Sequence, residues 1–187
     1  MGKGADFERE VARKLSLWWS YGARDDLIWR TSQSGGRATQ RSKKDKPTAG
    51  GYGDLAATDP RAAPLFQFFT VELKRGRSHG SPDDLLDAAP TDKQRPFERC
   101  LLQAVQAHQA ARSRSWLLIC RRDRREAVVY GEACVFKLLP GVMEGPCVRY
   151  DMRINQLQGE PVRMRFVGMR FDSFLTRAEP KAIKALK

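Results

Sequence analysis

The chain has 187 residues, of which 41% are hydrophobic and 30% are charged, a composition typical of one globular domain and not of a disordered protein. Lysine and arginine number 34 against 22 aspartates and glutamates, and such an excess of positive charge favours a polyanionic partner, nucleic acid above all, although an acidic protein would also fit. The sequence has neither a membrane-spanning apolar segment nor the apolar part of a signal peptide, so a cytoplasmic protein is expected.

The cysteines do not indicate a zinc site. They are widely separated, no CxxC pair occurs, and the chain has only two histidines. Structural zinc requires four closely organised ligands. We therefore expect small core residues in a reducing compartment. The four residues are Cys100, Cys120, Cys134 and Cys147.

The N-terminal part predicts a helix, a strand and a long loop. Apolar residues recur at helical spacing over 5–20 and would form one buried stripe. Residues 27–31 are typical of a strand. Residues 32–53 contain five glycines, one proline and a basic surplus without apolar periodicity, which predicts a mobile loop. The stripe consists of Phe7, Val11, Leu15 and Trp18.

The rest of the chain predicts a mixed sheet. The next elements are a short strand at 54–59, a buried strand at 65–74, a helix from about 92 to 112 and a buried strand at 116–120. Further on we expect a basic turn at 121–125, strands or a strand–helix pair at 127–139, a strand at 162–169 and a terminal helix or tail from 171. The α-β-β-β-α-β order predicts an α/β fold with helices flanking a central mixed sheet. No linker divides it, so we predict a single domain over 1–187.

Two charged residues end the buried strand in the sequence VELK. Because residues i and i+2 of a strand point to the same face, Glu72 and Lys74 should project together. Buried charges need partners, since an isolated one costs several kcal/mol. Asp54 begins the neighbouring predicted strand and could reach the same point. The alternative is a structural ion pair at the strand end, with Asp54 capping a turn.

Asp54, Glu72 and Lys74 together would suit metal-assisted hydrolysis. Two carboxylates with a backbone carbonyl would suit Mg²⁺, or Mn²⁺ in its place. A nearby lysine could hold or activate a water molecule, or stabilise charge on a phosphate. Together with the basic surplus, this favours metal-assisted hydrolysis of phosphodiesters. The competing interpretation is a non-catalytic basic module that only binds nucleic acid.

The first helix offers one more acid for this site. Glu8 lies within the apolar stripe, whereas Glu10 has Arg13 and Lys14 at the i+3 and i+4 positions of a solvated salt-bridging face. A carboxylate on a buried face requires a cation nearby. We therefore expect Glu8 to face the metal and Glu10 to lie at the surface, unless Glu8 reaches water at the edge of the stripe.

The ordered set GADFERE, RTSQSGG, GD and VELK resembles the PD-(D/E)XK nucleases. The likeness covers about residues 3–120 and is greatest to archaeal Holliday junction resolvases and phage-encoded endonucleases. It implies a restriction-endonuclease-like core, followed by a β-containing extension over about 121–187. It also implies metal binding by Asp54 and Glu72, catalysis by Lys74 and an active-site role for Glu8. The expanded loop and the longer GD-to-ELK gap depart from the small resolvases.

Further residues follow from the same resemblance. A loop serine of some relatives would correspond to Ser34 or Ser32, and a helix glutamine to Gln103, although Gln103 also fits a solvated helix position. The substrate would be DNA, in a bacterial or phage-infected cell, and a homodimer would favour the junction-resolving branch. The basic residues that we expect to contact nucleic acid are Arg30, Arg37, Arg41, Lys43, Lys44, Lys46, Arg75 and Arg77.

Overall fold

A computed structural model describes residues 3–31, 52–87, 89, 91 and 93–186. The first helix, α1, spans Lys3–Trp19 and buries the predicted apolar stripe. Its end is set by two residues in the left-handed region, Tyr21 and Gly22, and the Gly22 N–H donates to Leu17 O at 2.7 Å. This backbone conformation stops a helix and satisfies its last carbonyls. The predicted N-terminal helix is therefore confirmed.

Two short strands follow, and then a helix that the sequence did not predict. β1 (Ile28–Arg30) pairs antiparallel with β2 (Leu55–Ala57). Residues 65–68 were predicted to begin a long strand, but α2 spans Ala63–Phe68 and only Phe69–Arg75 forms β3. A proline in its first turn suits a helix, and a short apolar run does not by itself distinguish a helix from a strand.

The central sheet has five strands in the order β3-β4-β5-β7-β6. α3 (Pro96–Ala111) connects β3 to β4 (Ser115–Arg121), and these two strands are parallel, whereas the other pairs are antiparallel. The fold is thus α/β with a mixed sheet flanked by helices, as predicted. The remaining elements are β5 (Val128–Glu132), α4 (Ala133–Lys137), β6 (Val148–Ile154), β7 (Val162–Arg170), α5 (Phe171–Arg177) and α6 (Pro180–Ala185).

The C-terminal third contributes three of the five strands of this sheet. β5, β7 and β6 continue it from β4 by antiparallel pairing, so the extension predicted for about 121–187 shares the sheet with the core. β6 was not predicted, because most of its residues are exposed and its apolar alternation is weak. The region 127–139 proves to be a strand followed by a helix.

Each face of the sheet covers its own apolar core. Val71 and Leu73 of β3 belong to the core that includes α1, whereas Phe97 and Leu101 of α3 pack in the core on the other face. Glu72 and Lys74, alternating with Leu73, therefore project toward the side of α3. Because β3 is the outer strand of the five, its free edge is open to residues that arrive from β2.

Two smaller expectations can be compared with the structure. Cys120 is a buried core residue, and Cys100 and Cys147 are partly buried against the two cores. Cys134 is exposed on α4, so the expectation of a core residue was wrong for this cysteine. None of the helices in the described part of the chain combines the length and hydrophobicity needed to cross a membrane.

Candidate active site

Glycine at position 53 allows the chain to approach the edge of β3. Its φ is +79°, in the region that favours glycine. A Cβ atom there would stand 2.7 Å from Val71 O and 2.9 Å from Thr70 Cγ2, distances that real side chains do not tolerate. The Gly53–Asp54 pair therefore has a physical basis, since the glycine permits the close approach that brings the aspartate to β3.

Asp54 is bound to the edge of β3 by two hydrogen bonds. Its backbone N–H donates to Val71 O at 2.8 Å, and its Oδ2 accepts the N–H of Leu73 at 2.7 Å. On the other side, Asp54 O accepts the N–H of Thr31, which follows β1. The acid is thus held by backbone groups from both neighbouring strands.

Glu72 and Lys74 project together from β3, as predicted. Lys74 Nζ donates to Glu72 Oε2 at 3.3 Å, and the Nε2 of Gln103, from α3, donates to the same oxygen at 3.0 Å. Glu72 is only 4% exposed. The structure therefore brings Asp54, Glu72 and Lys74 to one point and places Gln103 against them.

Burial and mutual repulsion make the two carboxylates difficult to ionise together. Burial, followed by the charge of Asp54, raises the pKa of Glu72 to about 7. Burial also raises the pKa of Asp54, although the Leu73 N–H and the charge of Lys74 oppose the increase. Burial would lower the pKa of Lys74, but the charges of Glu72 and Asp54 outweigh it and the pKa is raised. Lys74 is therefore a cation beside two acids whose charged forms are disfavoured by burial.

The acids of α1 occupy two different environments. The Glu8 side chain is 15% exposed and forms an ion pair with Arg30 of β1, and its charge contributes to the raised pKa of Asp54. The Glu10 side chain is 38% exposed and pairs with Arg121 Nη1 at 2.7 Å. Glu8 thus lies within electrostatic reach of the carboxylate pair, and Glu10 is engaged at the end of β4.

The donor set fits a hard divalent cation. Among the residues that the structure describes, no three histidine, cysteine, aspartate or glutamate side chains form a group that could enclose a metal ion alone. Mg²⁺, however, is usually held by one or two carboxylates and keeps several of its waters. Burial raises the pKa of both groups, and a cation beside Asp54 and Glu72 would favour their charged forms.

Basic side chains lie around the end of β3. Arg75 pairs with Asp123 at 2.9 Å, and Arg77 is exposed. Arg77 lines a cavity of about 280 Å³ with Arg122 and Arg125, together with the acids Asp84 and Asp123. Arg122 and Arg125 belong to the basic turn expected at 121–125 and were not among the residues predicted to contact nucleic acid.

Several predicted residues fall outside the described part of the chain. These are Ser32, Ser34, Arg37, Arg41, Lys43, Lys44 and Lys46. Arg30, which lies close before that segment, is the partner of Glu8. Its predicted contact with nucleic acid therefore competes with an ion pair inside the protein.

Comparison with known proteins identifies the family. A search of curated proteins and a search of solved structures each found no match. The family model described as "Phage putative PDDEXK endonuclease" matches residues 1–185. The matched region contains the edge of β3 with Asp54, Glu72 and Lys74, and it extends through the C-terminal strands. The chain therefore belongs to this family of phage PDDEXK endonucleases.

Proposed function

We propose that the protein is a Mg²⁺-dependent endonuclease that cleaves phosphodiester bonds in DNA. The observation that carries the proposal is the meeting of Asp54, Glu72 and Lys74 at the open edge of β3. PD-(D/E)XK nucleases generally use divalent metal ions and act on nucleic acid, and the chain carries a net charge of +12. A module that only binds nucleic acid would gain nothing from two acids placed where a phosphate must approach.

Each residue has a distinct role in this proposal. Asp54 and Glu72 hold the cation, and Glu8 adds negative charge nearby. A bound divalent cation would supply Lewis-acid assistance to hydrolysis of the phosphodiester. Lys74, which the two acids keep protonated, orients the attacking water molecule and stabilises the negative charge that develops on the phosphate. Gln103 fixes the carboxylate of Glu72 by donating to one of its oxygens.

The DNA backbone would extend from this site along the basic end of the sheet. Arg122 and Arg125 line a second cavity, of about 240 Å³, together with Arg170 and His79. Glu126 also lines this cavity. Burial lowers the pKa of His79, and the charges of Arg122 and Lys74 lower it further. Cys120, which also lines this cavity, is paired with Lys74 in the register of β3 and β4. One polyanion could therefore contact both Lys74 and these arginines.

The second part of the proposal concerns which DNA structure the nuclease cuts. We propose cleavage of branched DNA by a homodimer, in the manner of a Holliday junction resolvase. This part is supported by the resemblance of the N-terminal helix, with Glu8, and of the GD and VELK motifs to that group. General endonuclease action on linear duplex is the second candidate within the same chemistry.

The test is a cleavage assay on several substrates. The purified protein would be incubated with labelled linear duplex, single-stranded and four-way-junction DNA, each with Mg²⁺, Mn²⁺ or EDTA. We expect internal cuts that require a metal, with the junction cut fastest. Faster cleavage of linear duplex would contradict the preference for branched DNA and favour general endonuclease action. Binding without cleavage of any substrate in either metal would contradict the nuclease and favour the non-catalytic module.

A further inference from the structure

A cavity lined by glutamines lies beside the candidate active site. Its volume is about 400 Å³, and the described residues that line it include no acid. Gln103 belongs both to this cavity and to the active site, because its Nε2 contacts Glu72. The cavity is lined by Gln94, Arg99, Leu102, Gln103, Gln106, Gln156, Leu157 and Gln158, and we call it the glutamine cavity.

One wall of the glutamine cavity is a face of α3. Arg99, Gln103 and Gln106 are spaced at i, i+4 and i+7, so they follow one side of the helix. Gln103 and Gln106 are both exposed. This face leads away from Glu72 along the helix, so a nucleotide next to the cleaved phosphate could reach it.

The other wall comes from the loop 155–161 between β6 and β7. The loop is tied to the start of α3 by Glu98, which is 2% exposed. Glu98 Oε1 accepts the N–H of Asn155 at 2.8 Å, and Glu98 Oε2 accepts the N–H of Arg95 at 2.7 Å. Gln94 Nε2 also donates to Asn155 O at 3.1 Å. The hairpin formed by β6, this loop and β7 is thus held in place beside α3 by a buried carboxylate.

The chemistry of the walls suits a nucleobase better than a phosphate. Five neutral amides offer hydrogen-bond donors and acceptors together, the pattern that glutamine uses to read base edges. A phosphate site would instead be rich in lysine and arginine, whereas among the described residues Arg99 is the single cation that lines this cavity. Leu157, 85% exposed at the loop tip, offers an apolar surface for the face of a base or for insertion between bases.

We propose that the glutamine cavity binds a nucleobase of the DNA substrate, close to the phosphate that is cut. Gln106 and Gln158 hydrogen-bond to the base edge, and Leu157 contacts its face. The inference rests on the proposed function, since it assigns a specificity site to the same nuclease. It also gives the hairpin of β6 and β7 a role in substrate choice.

The test removes bases while keeping phosphates. Fluorescence anisotropy in EDTA would measure binding to oligonucleotides that carry one abasic nucleotide at successive positions. For the unmodified protein we expect one position, or two adjacent ones, at which the loss of a base weakens binding by roughly tenfold. The double variant Gln106→Ala/Gln158→Ala should bind all members of the series equally, and Leu157→Ser should weaken the position dependence.

Gln109→Ala is the matched control. Gln109 is an exposed glutamine of α3 and does not line the glutamine cavity, so this variant should keep the profile of the unmodified protein. A flat profile for the unmodified protein, or an unchanged one for the double variant, would overturn the inference. If the protein cuts DNA and its binding does not depend on the position of the abasic nucleotide, the base-binding inference fails and the proposed nuclease activity is retained. If it neither binds nor cuts DNA, both fail.

Discussion

The carboxylate of Asp54 accepts the backbone N–H of Leu73 at 2.7 Å, at the residue between Glu72 and Lys74. This hydrogen bond occupies a donor at the open edge of β3 and at the same time fixes one acid of the candidate metal site. Asp54 therefore has a structural and a chemical role, and substitutions can separate them.

Asp54→Asn should retain the structural role and lose the chemical one. The asparagine keeps an oxygen acceptor for Leu73 N–H, so we expect its free energy of unfolding to stay within about 1 kcal/mol of the unmodified protein. Asp54→Ala leaves that N–H without its partner and should be less stable by roughly 1–3 kcal/mol. Urea unfolding measures both values, and cleavage should be lost in both variants. Equal destabilisation by the two substitutions would contradict the structural role.

Glu72 should make the metal-free protein less stable as the pH rises. Its pKa in the folded state is about 7, above the ordinary value of 4.5, so the folded state binds more protons than the unfolded state between these values. Stability is therefore lost from about pH 4.5 to about pH 7. Glu72→Gln should remove this loss and be more stable above pH 7, by on the order of 1–3 kcal/mol.

Thermal unfolding at several pH values, in EDTA, checks this prediction. The two proteins should unfold at similar temperatures near pH 4.5 and diverge toward pH 7 and above. Added Mg²⁺ should then stabilise the unmodified protein and leave Glu72→Gln unchanged, because binding to the folded state shifts the equilibrium only where the site exists. A constant difference across the pH range would show that burial of Glu72 is not the cause.

Gly53→Ala should destabilise the protein through both its backbone and its surroundings. The added Cβ would meet Val71 O at 2.7 Å, at a φ of +79°. Gly159→Ala is the matched control, since its φ is +96° and a Cβ there meets nothing within 4 Å. We expect Gly53→Ala to lose roughly 1–3 kcal/mol more than the control, measured by urea unfolding. An equal loss would show that the approach to β3 is not tight.

The strand period was enough to place Glu72 and Lys74 together, because it depends only on local geometry. The lower exposure of Glu8 compared with Glu10 could also be predicted, since the helix neighbours of Glu8 are apolar whereas those of Glu10 are basic. The helix at 63–68 could not be predicted from its apolar run, because such a run suits a buried helix and a buried strand equally.

Other features depend on contacts between distant parts of the chain. Gln103 meets Glu72 only because α3 crosses back over the sheet, and its sequence position is equally typical of a solvated glutamine. The loop 155–161 reaches the active-site helix through Glu98 and Asn155, residues with no shared motif. Long-range contacts of this kind leave no periodic signal, so the glutamine cavity was not predicted.

The most direct test of the central claim is the cleavage rate of Lys74→Ala in Mg²⁺. It would be compared with the unmodified protein and with Lys137→Ala, which removes an exposed lysine of α4, on the DNA that the unmodified protein cuts fastest. We predict a loss of at least about 100-fold for Lys74→Ala, unchanged cleavage by Lys137→Ala and none by any protein in EDTA. Full activity of Lys74→Ala, or cleavage that persists in EDTA, would contradict a metal-assisted site built from Asp54, Glu72 and Lys74.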